Sequence, residues 1–254
     1  MTFYKRAFRY VQRKKSKTIL LFLCFLLIST LVLSATMILQ TAQATSNSIR
    51  EKTGSKIVIE NRQGQNVISL DTIFQLAELS NVLKLNRVAS NVVSPENFCP
   101  IIAKDDEDVL NQSVRLQAYD DSSADGLFAQ EKYRLLEGSH ISEHQQGVII
   151  NSFLAKSNGL KLGDSLTFEI GKNETVSGEV VGIFFSGMES KQDDTVMAAY
   201  RIENQIFVDH GLYEAIFGTN GYSAVSVYTS DPDNLATLYE QAVALVDDTV
   251  TIST

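Results

Sequence analysis

Residues 133–185 read YRLLEGSHISEHQQGVIINSFLAKSNGLKLGDSLTFEIGKNETVSGEVVGIFF, a stretch in which strand, helix and turn signals follow one another without conflict. Residues 147–150 (GVII) form a short apolar run read as a buried strand. Asn151 or Ser152 then offers a side-chain oxygen to the first free amides of a short helix carrying Phe153 and Leu154. Gly159 supplies the left-handed position that ends it. Gly163-Asp164 turns the chain into a strand over 165–170, whose hairpin partner is the alternating run 176–184. These signals specify a compact α+β unit.

Outward from that unit, strand-like and helix-like stretches alternate. Residues 56–60 (KIVIE), 82–94, 114–119, 205–208, 224–228 and 250–252 read as strands. A helix is predicted over 69–79, with Ser69 as cap, Asp71 in the first turn and Leu70, Ile73, Leu76 and Ala77 at helical spacing. Asp209 caps a second short helix reaching Phe217 and Gly218, and Pro232 opens a third through Leu235, Leu238, Ala242 and Leu245. The β-α-β succession occurs twice, which predicts two β-α-β-type subdomains. Residues 95–108 carry two prolines and the run Asp105-Asp106-Glu107-Asp108, read as a solvated loop.

The N-terminal part is of another kind. Ile19 and Leu39 bound 21 residues without a charge, which at about 1.5 Å rise per residue span about 30 Å, the hydrocarbon thickness of a bilayer. A transmembrane helix over 19–39 is predicted. Lys5, Arg6, Arg9, Arg13, Lys14, Lys15 and Lys17 all precede it, and the next basic residue is Arg50, so the positive-inside rule keeps residues 1–18 in the cytosol and exports residues 40 onward. A cleaved signal peptide is the competing reading, with Ala42-Gln43-Ala44 as the small-x-small site, but the apolar run exceeds the usual h-region. Residues 40–55 read as a stalk and 56–254 as the exported domain.

The chain averages conceal this organisation. A formal charge of −8 over 254 residues divides into +7 before the apolar run, 0 within it and −15 beyond. The acidic majority disfavours nucleic acid, whose phosphates it repels. Tyr4, Phe8 and Val11 fall at i, i+4, i+7 among Arg9, Arg13, Lys14 and Lys15, a pattern suited to a helix lying in the anionic headgroup layer; a basic topogenic tail is an equally good reading. Cys24 lies in the apolar run and Cys99 beyond it, so the two are not expected to pair.

Together, the basic aromatic N-terminus, the single apolar run, Leu135-Leu136-Glu137-Gly138, Leu154-Ala155-Lys156, the G-L-K-L-G-D of residues 159–164 and the V-V-G-I-F of 180–184 resemble the N-terminal half of FtsX/MacB-type ABC-transporter permease subunits, closest to the Vex-like permeases of Gram-positive bacteria. The resemblance implies a MacB-like extracytoplasmic core domain on the first of four membrane helices. It implies a cytosolic ATP-binding partner, a second permease chain and contact with membrane lipid. Gly138, Leu154, Ala155, Gly159, Gly163, Asp164 and Gly182 are the motif positions to which it assigns a structural role. A second apolar stretch does not follow within the sequence, so a fragment of a permease or a single-pass sensor or ligand-binding module are both compatible readings.

No catalytic constellation, metal site or cofactor site is expected. His140-Ile-Ser-Glu143-His144 matches the H-x-x-E-H zinc-protease pattern, but it sits in a polar connection too short for the buried helix that chemistry needs, so two solvated histidines are expected. Asp121, Ser123, Asp125 and Gly126 imitate the start of a calcium loop, yet Lys132 occupies the position of the bidentate Glu, and a flexible turn is expected. Cys99 is read as a small buried hydrophobe. Asp193-Asp194 and Asp247-Asp248 are adjacent in sequence and therefore point apart. A Gly-x-x-x-x-Gly-Lys-[Ser/Thr] loop is absent, so energy is expected from a partner.

Overall fold

The computed structural model describes residues 4, 15–53, 56–102, 108–171, 174–187, 196–229 and 234–254, with the backbone alone at 15, 18 and 42–53. It divides into two compact units, Met1–Lys52 and Thr53–Thr254. The first is built on one helix, α1 (Lys15–Thr53), whose 39 residues contain neither glycine nor proline. Apolar residues surround it rather than forming a stripe, as in a helix whose solvent is lipid. Ile19–Thr41 is the part long and apolar enough to cross a membrane, and none of it is buried against protein. Thr30 and Thr36 donate their hydroxyls to the carbonyls of Leu27 and Leu33, each at 2.9 Å, so neither hydroxyl would be left unbonded in hydrocarbon.

In the second unit the strands are β1 (Lys56–Asn61), β2 (Val82–Val93), β3 (Val114–Tyr119), β4 (Arg134–Gly138), β5 (Val148–Asn151), β6 (Ser165–Gly171), β7 (Glu174–Phe185), β8 (Gln205–Val208), β9 (Ala224–Thr229) and β10 (Val250–Ser253). The helices are α2 (Leu70–Ala77), α3 (Gly126–Ala129), α4 (Ser152–Asn158), α5 (His210–Phe217) and α6 (Leu235–Val243). Their ends follow local chemistry. Ser69 accepts from the Thr72 amide at 3.1 Å, Asn151 from Phe153 at 2.9 Å and Asp209 from Leu212 at 2.9 Å, each satisfying an amide that a helix start leaves free. Gly159, at φ 68°, closes α4, and the next amide, of Leu160, returns to the Ala155 carbonyl at 2.9 Å.

All described strands join one sheet in the order β10-β1-β9-β2-β3-β8-β5-β7-β4, with β6 on the first half of β7. Strands β1 and β2 are each antiparallel to β9, hence parallel to one another, and α2 connects them. Strands β9 and β10 are each antiparallel to β1 and are connected by α6. Two split β-α-β units therefore interlock, and everything between β2 and β9 is inserted into them. The expected β-α-β subdomains are not set apart from each other: β2 pairs with β3 from Val88↔Tyr119 to Val93↔Val114 and makes the sheet continuous.

Alternation along the strands sends side chains into two cores. On one face Ile57, Ile59, Leu116, Ala118, Ile150 and Val208 pack under α2, α4, α5 and α6. On the other, Tyr119, Phe184 and Phe207 meet Phe128 of α3 and Tyr133, with ring centroids 5.3 Å apart for Phe128–Phe207 and for Phe184–Phe207. Burial of each such side chain contributes about 1.5–3 kcal/mol. Pro232, the expected helix opener, lies outside the described residues, and α6 is preceded by Asn234. Residues 105–107 and Asp193-Asp194 also lie outside them, while Asp108 caps a short 3-10 turn by accepting from the Leu110 amide at 2.9 Å.

Gly138 and Gly182 are register partners across β4 and β7. A Cβ on Gly138, at φ 80°, would stand 2.0 Å from the Val181 carbonyl oxygen, whereas one on Gly159 would meet nothing within 4 Å. Gly159→Ala is expected to cost about 1–2 kcal/mol through backbone strain alone. Gly138→Ala is expected to cost a further ~1–3 kcal/mol, because backbone must move. Thermal melting of the two variants side by side reads the difference.

Candidate functional site

A polar constellation in the sheet gathers around Arg87 of β2. Its guanidinium engages Asp120, just beyond β3, with Nε 2.9 Å from Oδ2 and Nη2 2.5 Å from Oδ1, while its backbone amide donates to Oδ2 at 2.8 Å. Nη1 donates to the Tyr222 hydroxyl at 3.0 Å, and the guanidinium lies 5.3 Å from the Tyr222 ring centroid. Burial alone would raise the Asp120 carboxyl, but the hydrogen bonds from Arg87 outweigh it and hold the group below its ordinary value. The same bonds push the Arg87 guanidinium further up, against its own burial. The next carboxylate, Asp121, takes Lys84 Nζ at 3.2 Å, and Lys84 and Lys56 flank the Tyr228 ring at 5.0 and 5.5 Å.

His210, the first residue of α5, closes this constellation. Its Nε2 is 3.2 Å from the Arg87 carbonyl oxygen and 3.7 Å from Asp120 Oδ1, and its ring stands edge-on to Tyr222 with centroids 5.4 Å apart. A carbonyl only accepts, so Nε2 carries the proton of the neutral imidazole. The side chain is 10% exposed, and Nδ1 is buried without a hydrogen-bond partner. Burial pushes the His210 pKa down, with Asp120 opposing that shift and Arg87 adding to it. A small cleft beside the ring is lined by Leu70, Ala89, Tyr213, Glu214 and Tyr222.

The residues singled out from sequence are distributed differently. Of the membrane-surface set, Tyr4 is helical and exposed, Lys15 begins α1, and Phe8, Arg9, Val11, Arg13 and Lys14 lie outside the described residues. Leu154 and Ala155 are buried in the larger core. Gly163 donates to the Val180 carbonyl at 2.9 Å, the Val180 amide returns to the Asp164 carbonyl at 2.8 Å, and the Asp164 carboxylate accepts from Lys161 at 2.8 Å. With the Gly138–Gly182 pair, these motif positions are drawn together around β7.

Three expectations need correction. His144 is exposed on a turn, but His140 is half-buried: its Nδ1 is 3.1 Å from the Ser122 hydroxyl and its ring meets Phe128 edge-on at 4.7 Å, because Ile141 beside it enters the aromatic core. Burial lowers the His140 pKa, against the pull of Asp121. Asp121 and Asp125 do not sit in a flexible turn; each carboxylate caps a helical turn, Asp121 through the Ser123 amide and Asp125 through that of Leu127, and Asp125 also accepts from the Tyr119 hydroxyl at 2.7 Å. Cys99 is exposed rather than buried, its amide and carbonyl held by the Asn158 side chain while the neighbouring Phe98 takes the core position. Asp247 and Asp248 are exposed in the turn before β10. Among the described residues no group of three or more His, Cys, Asp or Glu is placed to hold a metal ion.

The Arg87 constellation was not singled out from sequence, since its members are spread from 87 to 222 and match no motif. Arg87→Lys keeps the charge but loses the fork that spans Asp120 and Tyr222, and is expected to cost about 1–3 kcal/mol in thermal or chemical denaturation. Because the Asp120 pKa is lowered on folding, its contribution is complete above the ordinary carboxylate value of about 3.9 and is lost as the pH falls through the folded value. Stability measured below that point should differ less between Arg87→Lys and the unaltered chain.

No protein-family model matches the chain. A curated relative, the uncharacterized ABC transporter permease YclI of Bacillus subtilis (strain 168), is 26% identical over 305 residues that include 100% of this chain. The chain spans 62% of that relative's length. Among solved structures, the periplasmic region of MacB from Actinobacillus actinomycetemcomitans superposes with a TM-score of 0.52 at 14% identity, covering 81% of this chain and 91% of that one. The extracellular domain of the noncanonic ABC-type transporter YknZ from Gram-positive bacteria gives 0.48 at 15% identity, over 78% and 100%. Over its whole length this chain is similar to part of an ABC transporter permease, and its sheet-bearing unit shares the fold of the MacB periplasmic region.

Proposed function

We propose that the chain is the permease part of a transport complex in which a separate cytosolic subunit hydrolyses ATP and the sheet-bearing domain moves in response on the far side of the membrane. Likeness to an ABC permease over the whole length is the observation that carries this reading. The continuity of α1 supports it: the helix passes without a break from Lys15 through the apolar span to Thr53. An unbroken helix carries displacement along its own length. The seven cations before the span favour a cytosolic N-terminus and an exported domain. Tyr4, Phe8, Arg9, Val11, Arg13, Lys14 and Lys15 are the residues assigned to the membrane surface and to coupling with the ATPase, and a second permease chain completes the complex. The chain itself is not an enzyme in this reading, and its role is export or transmembrane signalling.

The test is co-purification of the chain with its ATP-binding subunit from membranes, before and after Phe8 and the neighbouring cations are replaced. Association is expected for the unaltered chain and a loss of about tenfold, equivalent to about 1.4 kcal/mol, for the variant. No association of the unaltered chain would overturn the reading, and equal association of both would remove the coupling role of the segment.

A further inference from the structure

We propose that His210 is an acid-sensitive latch: neutral, it fastens the start of α5 and the 218–222 turn to the centre of the sheet, and protonated, it releases them. The argument starts from the two ring nitrogens. Nε2 donates to the Arg87 carbonyl of β2, leaving Nδ1 as a lone pair that is buried and unpartnered. A proton from outside can therefore go only to Nδ1, and it creates a second buried N–H for which the surroundings hold no acceptor in contact. Leaving such a donor unpaired opposes protonation of the folded chain.

The charges facing the ring do not remove that cost. Asp120, from the end of β3, lies 3.7 Å from Nε2, but Arg87 already occupies both of its oxygens. Arg87, from β2, repels an imidazolium. Tyr222, from the turn before β9, presents its ring edge-on and its hydroxyl to Arg87. On the helix itself, Glu214 attracts the imidazolium from the cleft wall, and Tyr213 spends its hydroxyl on Asn66 at 2.9 Å. The balance of burial and charge lowers the folded pKa of His210.

The sign follows. A histidine whose pKa falls on folding binds more protons when unfolded, so its contribution is complete above the ordinary value of about 6.5 and is lost as the pH falls from there toward the folded value. The segment at stake reaches the rest of the sheet. Leu212, in the first turn of α5, lies over Gly178 of β7 so closely that a Cβ there would stand 2.5 Å from Leu212 Cδ2. Tyr222 is bridged to Ile68 in both directions, at 2.8 and 2.9 Å. Opening the latch frees a helix and a turn that contact both halves of the sheet.

The experiment uses the full chain in lipid nanodiscs, with hydrogen exchange followed at about pH 7.5 and about pH 5.5, on either side of ordinary histidine titration, and corrected for intrinsic exchange. Acid is expected to reduce protection over 210–222 about tenfold, within what one unpaired buried donor costs, while β1 and β5 hold theirs. His210→Gln, whose amide still donates to the Arg87 carbonyl but does not titrate, should abolish the difference. Equal acid response in that variant, no response in the unaltered chain, or a response confined to the His140 segment would each overturn the proposal. If the variant does not fold, the imidazole signals of the chain's 3 histidines, assigned through His140→Gln and His144→Gln, decide the matter. The His210 signal should titrate below the ordinary value, and a midpoint at or above it would overturn the latch.

Discussion

The antiparallel pairing of β2 with β3 is the constraint from which the rest of the folded unit follows. Strand β2 is 12 residues long, and its two edges are used over overlapping lengths, by β9 from Val82 to Val88 and by β3 from Val88 to Val93. That arrangement turns two β-α-β successions into one sheet and makes a long chain segment an insertion between β2 and β9. It also brings Arg87 to Asp120. Where the β2–β3 ladder ends at Val88↔Tyr119, the next residues on each strand no longer exchange backbone bonds, and the Arg87 amide turns instead to the Asp120 carboxylate. A charged side chain thus continues the work of the ladder, which is why a guanidinium and a carboxylate persist in a partly buried place.

The two cores divide the labour of holding that sheet. The aliphatic face accepts helices, whose positions are set by caps and by buried residues such as Leu76, Leu154 and Leu238. On the opposite face, rings from distant parts of the chain pack at tilted and edge-on angles around Phe207, and their polar ends leave through specific bonds, Tyr119 to Asp125 and Tyr133 to Gln205. Burial drives the Tyr133 hydroxyl up to about 12, so it stays a neutral donor at any physiological pH. The second face is therefore closed by short turns and rings rather than by long helices.

Much of this was legible locally. The strands around 56–60, 114–119 and 205–208 and the caps Ser69, Asn151 and Asp209 follow from alternation, β-branching and short polar side chains, interactions that span four residues or fewer. The glycine-bounded α4 and the β6–β7 hairpin are legible for the same reason. What was misread depended on how turns and side chains pack, which residue type and spacing alone do not specify. His140 looked solvated because its own flanks are polar, yet it packs on Phe128. Asp121 and Asp125 looked like part of a flexible turn, yet their oxygens are committed to amides, to Lys84 and to Tyr119. Cys99 looked buried because it follows Phe98 in a run where only one of the two residues faces the core.

By itself, then, the sequence determined the apolar helix and its charged flank, the kinds and order of the folded elements, and the resemblance that points to a permease. Those properties rest on composition and on contacts within a few residues, where covalent spacing decides which side chains can meet. Only the tertiary structure decided that the two β-α-β successions share a sheet, that Gly138 and Gly182 press together across β4 and β7, and that His210 meets Arg87, Asp120 and Tyr222. Those contacts join residues far apart in sequence, 135 positions in the Arg87–Tyr222 hydrogen bond, and no local spacing encodes a distance that the chain acquires only on folding.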